Sequence, residues 1–126
     1  MNPADRRAAW WALAIVWALF LRFLGSRPPD ALPEGPWMFP GFDKVLHAGF
    51  YAVLGLLWVR ALAPRRLVGA LLIGTLVGLI WGGFDEWMQS RSGVREGDLM
   101  DLAADVVGAA AGGWFAFRTL LGRPRS

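Results

Sequence analysis

Four long apolar blocks dominate this chain and restrict it to one kind of solvent. They run over roughly Ala8 to Leu24, Val45 to Leu62, Leu67 to Phe84 and Leu102 to Leu121, each near the ~20 residues with which an α-helix crosses hydrocarbon. None alternates with the period of two that marks a half-buried strand. A helix also satisfies its backbone polar groups internally, which lipid demands. The expected fold is therefore all-α: a single domain, 1–126, forming a bundle of four transmembrane helices at about 8–24, 45–62, 67–84 and 100–121, with neighbouring spans antiparallel.

Composition agrees with lipid as the solvent. A hydrophobic fraction of 56% with eight Trp and sixteen Gly, and a mean hydropathy of +0.40, are too apolar for a small water-soluble domain, which needs polar covering for its large surface. The net charge of +3 does not point to nucleic acid. The arginines lie beside the apolar blocks and form no basic stripe interleaved with stacking aromatics. Membrane lipid is the expected partner, and no nucleic acid is. The chain has no cysteine, so it carries no disulfide framework, thiolate nucleophile or zinc-cysteine site.

The first block follows Arg6 and Arg7, as the apolar core of a signal peptide would. Arg22 inside its far end, and Phe23 and Leu24 where a signal peptidase needs a small residue, favour an uncleaved span with Arg22 snorkelling outward. Ser26 to Phe42 holds Pro28, Pro29, Pro33, Pro36 and Pro40 and is expected as a loop. Its Trp37, Met38 and Phe39 suit the membrane interface. Ala63 to Arg66 and Ser90 to Asp98 are expected as short loops.

The charges then set an orientation. Arg6, Arg7, Arg60, Arg65, Arg66, Arg118, Arg123 and Arg125 fall on one side, opposed only by Asp5. Arg22, Arg27, Lys44, Arg91 and Arg95 fall on the other with every remaining acid: Asp30, Glu34, Asp43, Asp85, Glu86, Glu96, Asp98, Asp101 and Asp105. The base-rich side is expected to be cytoplasmic, which puts both termini inside. Gly74, Gly78 and Gly82 recur every fourth residue on the third span, as do Ala104, Gly108 and Gly112 on the fourth. Such small-residue faces let backbones approach, and a tight contact between these two spans is expected.

The polar residues of the spans gather toward the outer side. Asp43, His47 and Tyr51 are four apart on one face of the second helix, beside Lys44. Asp85, Glu86 and Gln89 end the third, and Asp101 and Asp105 open the fourth. Ionisable groups at membrane depth are costly and mark a site by default. Asp43 and Asp101 also suit helix capping or pairing with the helix dipole. Asp105 lies a turn too deep for that.

In this order and spacing, Asp43, Lys44, His47, Tyr51, then Asp85, Glu86, Gln89, then Arg95, Asp101, Asp105, Gly108 and Gly112 resemble the VanZ-like family of small bacterial membrane proteins, over about the C-terminal two-thirds of the chain. The family's loop usually reads as an apolar pair, proline and glycine before the arginine. Arg91, Ser92, Gly93 and Val94 stand there instead. The resemblance implies a multi-pass protein of the bacterial cytoplasmic membrane with an envelope role, and its founding member is associated with low-level resistance to the glycopeptide teicoplanin.

Three functional readings follow. In the first, an outward polar site binds a lipid-linked or anionic envelope component such as a cell-wall precursor, with Lys44, Arg95 and His47 meeting the head group and Asp85, Glu86, Asp101 and Asp105 holding those cations. In the second, a membrane enzyme acts on a lipid-linked phosphate or peptidoglycan precursor, using His47 or Glu86 as base and Arg95 or Lys44 to steady negative charge. Ser90 and Ser92 have no context of an activated nucleophile. A metal on His47, Asp101 and Asp105 would lack diagnostic ligand spacing, so no cofactor is expected. In the third, the polar residues are an inter-helix network. Homo-oligomerisation stays open.

Overall fold

The computed structural model describes residues 1–27, 41–93 and 99–121. They form four helices, α1 (Pro3–Gly25), α2 (Phe42–Leu62), α3 (Leu67–Ser92) and α4 (Leu99–Leu121), and no strand. All four are long and apolar enough to cross a membrane. At about 1.5 Å per residue, even the shortest, with 21 residues, matches the ~30 Å of hydrocarbon.

Each helix outruns its apolar block, because local signals at the chain level set the ends. Asn2 caps α1 by accepting the Asp5 N–H at 2.8 Å, and Pro3 sits at the first helical position, where a missing N–H costs nothing. Polar Asp5, Arg6 and Arg7 are thereby drawn into the helix. α3 continues through Asp85, Glu86 and Gln89 to Ser92, so the turn expected from Ser90 begins only at Gly93, whose φ of +68° releases the chain. α2 stops at Ala63, whose N–H bonds to the Val59 carbonyl at 2.8 Å. Pro64 cannot carry the helix on. Trp37, Met38 and Phe39 lie outside the described residues.

Alanine supplies half of the buried apolar residues, around the larger Leu54, Val59 and Phe117. Ala14, Ala18, Ala70, Ala109 and Ala116 are buried, whereas Val16, Ile80 and Val107, all in mid-helix, are 63%, 67% and 67% exposed. A water-soluble bundle places these classes the other way round. In lipid, large apolar side chains gain nothing by hiding, and close packing of backbones through small residues drives association. The burial pattern is that of a multi-pass membrane protein.

α4 is the hub, packed most extensively against α2 and then α3. Gly74 and Gly78 of α3 face it: a Cβ at Gly74 would lie 2.6 Å from the Ala109 carbonyl oxygen, and one at Gly78 2.9 Å from Val106 Cα. Gly108 and Gly112, expected against the third span, instead meet α2, where an added Cβ would collide with the carbonyls of Ala48 and Ala52. The small stripe on α4 is wider than one seam. Ala109, one residue on, turns its side chain to Gly78 of α3 while its backbone lies against Gly55 of α2, and Gly108 and Gly112 turn to α2.

α1 is fastened by side chains reaching neighbouring carbonyls. Trp17 Nε1 donates to Phe50 O at 2.9 Å, Trp81 Nε1 of α3 to Ala18 O at 3.1 Å, and Arg7 Nε to Ala61 O at 3.2 Å. A helical carbonyl has a second lone pair for such a donor. These contacts set the start of α1 beside the end of α2. Arg60 Nη2 donates to Thr119 Oγ1 at 2.6 Å, joining the last turns of α2 and α4. The end of α1, the start of α2, the end of α3 and the start of α4 consequently share the opposite end of the bundle.

Candidate functional site

At that shared end, four helices bring their polar residues together. The first turns of α2 and α4 face each other across the Gly108 seam, which lets the short side chains of Asp101 and Asp105 reach α2. Lys44 Nζ donates to Asp101 Oδ1 at 2.6 Å and to Asp43 Oδ2 at 2.8 Å. His47 Nδ1 lies 2.7 Å from Asp105 Oδ1, a contact that calls for the ring proton on Nδ1. His47 Nε2 is 3.7 Å from Asp101 Oδ2. One carboxylate thus stands at each ring nitrogen. Asp43 does not cap α2: Gly41 holds that place without a side-chain bond, and Asp43 pairs with Lys44. Asp101 is the third residue of α4 and is engaged by Lys44.

A second pair joins α1 to α3. Arg22 Nη1 bonds Asp85 Oδ1, and Gln89 Nε2, one turn along, donates to Asp85 Oδ2 at 2.9 Å. Arg22 therefore turns into the bundle, which corrects the expectation that it snorkels outward. The reason is local. Ala14, Ala18, Leu21 and Gly25 are the buried residues of α1, and residue 22, four after Ala18, falls on the same side. The absence of a side chain at Gly25 admits the carboxylate: a Cβ there would sit 2.9 Å from Asp85 Cγ. Gly82 does the same for Asp105, with 2.9 Å from an added Cβ to Asp105 Oδ2.

Burial separates this end from an ordinary solvated helix terminus. Asp105 is 1% exposed, Gln89 2%, Tyr51 3% and Asp85 6%. Glu86 is half-buried on α3. The Tyr51 hydroxyl and Asp105 Oδ2 are buried without a hydrogen-bond partner among the described residues. An unsatisfied buried polar atom is rare enough in a folded chain to require a reason.

Beside these groups lies a partly open cavity of about 180 Å³. Leu21 and Leu24 of α1 with Leu46 and Phe50 of α2 form its apolar walls, and His47, Tyr51, Asp85 and Gln89, with Asp43 at the rim, form its polar side. Apart from Glu86, which does not line the cavity, the predicted residues that the structure describes fall into two groups. Asp43, His47, Tyr51, Asp85 and Gln89 line the cavity; Lys44, Asp101 and Asp105 stand behind it, bonded across the α2–α4 seam. Arg95 lies outside the described residues. Arg22, Gly25 and the leucine walls were missed. The signal for Arg22 was its register with Ala14 and Ala18, which an outward reading ignored.

Chemically, the site is rich in acceptors and poor in available cations. Among the described residues, no three His, Asp or Glu side chains are arranged to hold a metal ion. The Ser92 hydroxyl donates to the Gln89 carbonyl at 3.2 Å. A comparison of the chain with family models, curated proteins and solved structures finds no match.

Proposed function

We propose that this chain is a VanZ-like protein of the bacterial cytoplasmic membrane, with both termini cytoplasmic, whose extracytoplasmic polar site binds the head of a lipid-linked envelope component. The observation that carries this reading is the shape and chemistry of the cavity. Apolar walls from α1 and α2 meet a polar side built from α2 and α3, the arrangement that small-molecule sites use to fix an amphiphile's orientation. The Tyr51 hydroxyl on that side, without a partner among the described residues, is a group a ligand would satisfy. The orientation rests on the arginine asymmetry.

The test is mass spectrometry of amphiphiles that co-purify with the wild-type protein and with Leu46→Trp, which fills the cavity while leaving every ion-pair residue in the sequence. The expected result is one lipid class enriched over the bulk membrane in the wild type and lost in the variant. Identical lipid profiles, both matching the bulk, would remove the binding reading.

The competing reading is a structural network, favoured by one specific observation: Arg22–Asp85, Lys44–Asp101 and His47–Asp105 each join two different helices. It expects Leu46→Trp to be silent and the ion-pair variants to lose stability rather than a ligand.

A further inference from the structure

The binding reading above leaves the head group open, and the cavity lining narrows it. Two carboxylates, Asp43 and Asp85, line the cavity, and among the described residues no lysine or arginine does. The two nearest permanent cations are held by carboxylates: Arg22 by Asp85, and Lys44 by Asp43 and Asp101. An anionic head would therefore meet the Asp43 and Asp85 carboxylates with no lysine or arginine among the described residues to face it, at a depth where such repulsion is poorly screened.

Beside the His47 imidazole, the remaining polar groups all offer acceptor atoms. Gln89 commits its amide nitrogen to Asp85, which leaves its carbonyl oxygen for anything else. Asp85 adds a carboxylate, whose Oδ1 accepts from Arg22 and Oδ2 from Gln89. Tyr51, 3% exposed, lines the same cavity with its hydroxyl unpartnered among the described residues. An ammonium group brings three donors and no acceptor, which complements this set.

We propose that the cavity binds the cationic nitrogen of an alkylammonium amphiphile, seated among Asp85, Gln89 and Tyr51, with its chain against Leu21, Leu24, Leu46 and Phe50. A volume of about 180 Å³ holds roughly six water-sized groups at ~30 Å³ each. That accommodates the head and the first methylenes, and the rest of the chain leaves between α1 and α2 toward lipid.

The test uses the full chain in phosphatidylcholine nanodiscs and three photoreactive probes of equal length: hexylammonium, hexanoate and hexanol, each with a diazirine at the far carbon. The ammonium probe is expected to label α1 near Leu21 and Leu24 or α2 near Leu46 and Phe50 saturably, about tenfold more strongly than hexanoate at equal concentration. Tyr51→Phe removes a hydroxyl with no partner among the described residues, so it is expected to leave the fold intact and to weaken ammonium labelling about threefold or more. Asp85→Asn should weaken it further, scored only if the variant stays monodisperse. Equal or stronger labelling of the same segments by hexanoate or hexanol would overturn the ammonium assignment while leaving an amphiphile site in place. No saturable labelling by any probe would overturn the site itself, and this inference with it.

Discussion

Asp105 on α4 and His47 on α2 meet at 2.7 Å between Oδ1 and Nδ1, with the aspartate 1% exposed and its second oxygen nested against Gly82 of α3. One carboxylate thus ties three helices at a depth of about six residues, or ~9 Å, from the start of α4. It is the contact on which the polar end is assembled.

Removing one partner of this pair strands the other. His47→Leu is expected to destabilise the protein by about 3–5 kcal/mol, the usual cost of an uncompensated buried charge. The double variant His47→Leu with Asp105→Leu should recover most of that loss, because two apolar side chains of similar volume need no partner. Unfolding of all three variants in mixed detergent checks this. An additive double variant would mean that the two residues do not act as a pair.

Gly112 and Gly83 make a matched contrast. A Cβ at Gly112 would run into the Ala52 carbonyl of α2, while one at Gly83 meets nothing within 4 Å. Gly112→Ala is expected to cost at least about 1–3 kcal/mol by forcing the helices apart, and Gly83→Ala to be neutral or mildly stabilising. Thermal melts of the two proteins side by side decide it; equal melting temperatures would contradict the packing described.

Arg22 and Gly25 both answer to Asp85. Arg22→Met takes from Asp85 its arginine partner and should cost about 1–3 kcal/mol, less than a fully buried pair because the guanidinium is partly exposed. Gly25→Leu displaces the same carboxylate by contact. Both variants should free α1 from α3, read as faster proteolysis within α1 in detergent. Unchanged proteolysis would show that the tryptophan contacts alone hold α1.

The chain contains no native cysteine, so a single introduced thiol reports its own side of the membrane. Arg27 and Arg65 are both exposed, at opposite ends of the bundle. In intact cells, Arg27→Cys is expected to react with an impermeant maleimide and Arg65→Cys only after permeabilisation. The reverse pattern would invert the orientation and place the cavity on the cytoplasmic side.

Helix number and the end of the bundle at which polar groups gather were legible in the sequence, because both depend on quantities local to the chain. Hydrocarbon thickness fixes how many apolar residues make a span, and helical period fixes which residues share a face. Asp43, His47 and Tyr51 could be assigned to one face of α2 by spacing alone, and all three line the cavity. Helix ends were less legible: α3 runs on to Ser92 because Gln89 and its neighbours are helix-compatible and only Gly93 supplies a stop.

Which partner each face meets was decided only by the tertiary structure. A small-residue stripe states that a backbone comes close, but the rotation of α4 determines that Gly108 and Gly112 take α2 and that Ala109 sits between Gly55 of α2 and Gly78 of α3. The same holds for charge. An arginine three residues from the end of an apolar helix has two low-energy options, water or a buried carboxylate, and its choice depends on whether a glycine on its own helix lets that carboxylate in. Arg22 takes Asp85 because Gly25 makes the room, a relation between residues sixty positions apart that only packing creates.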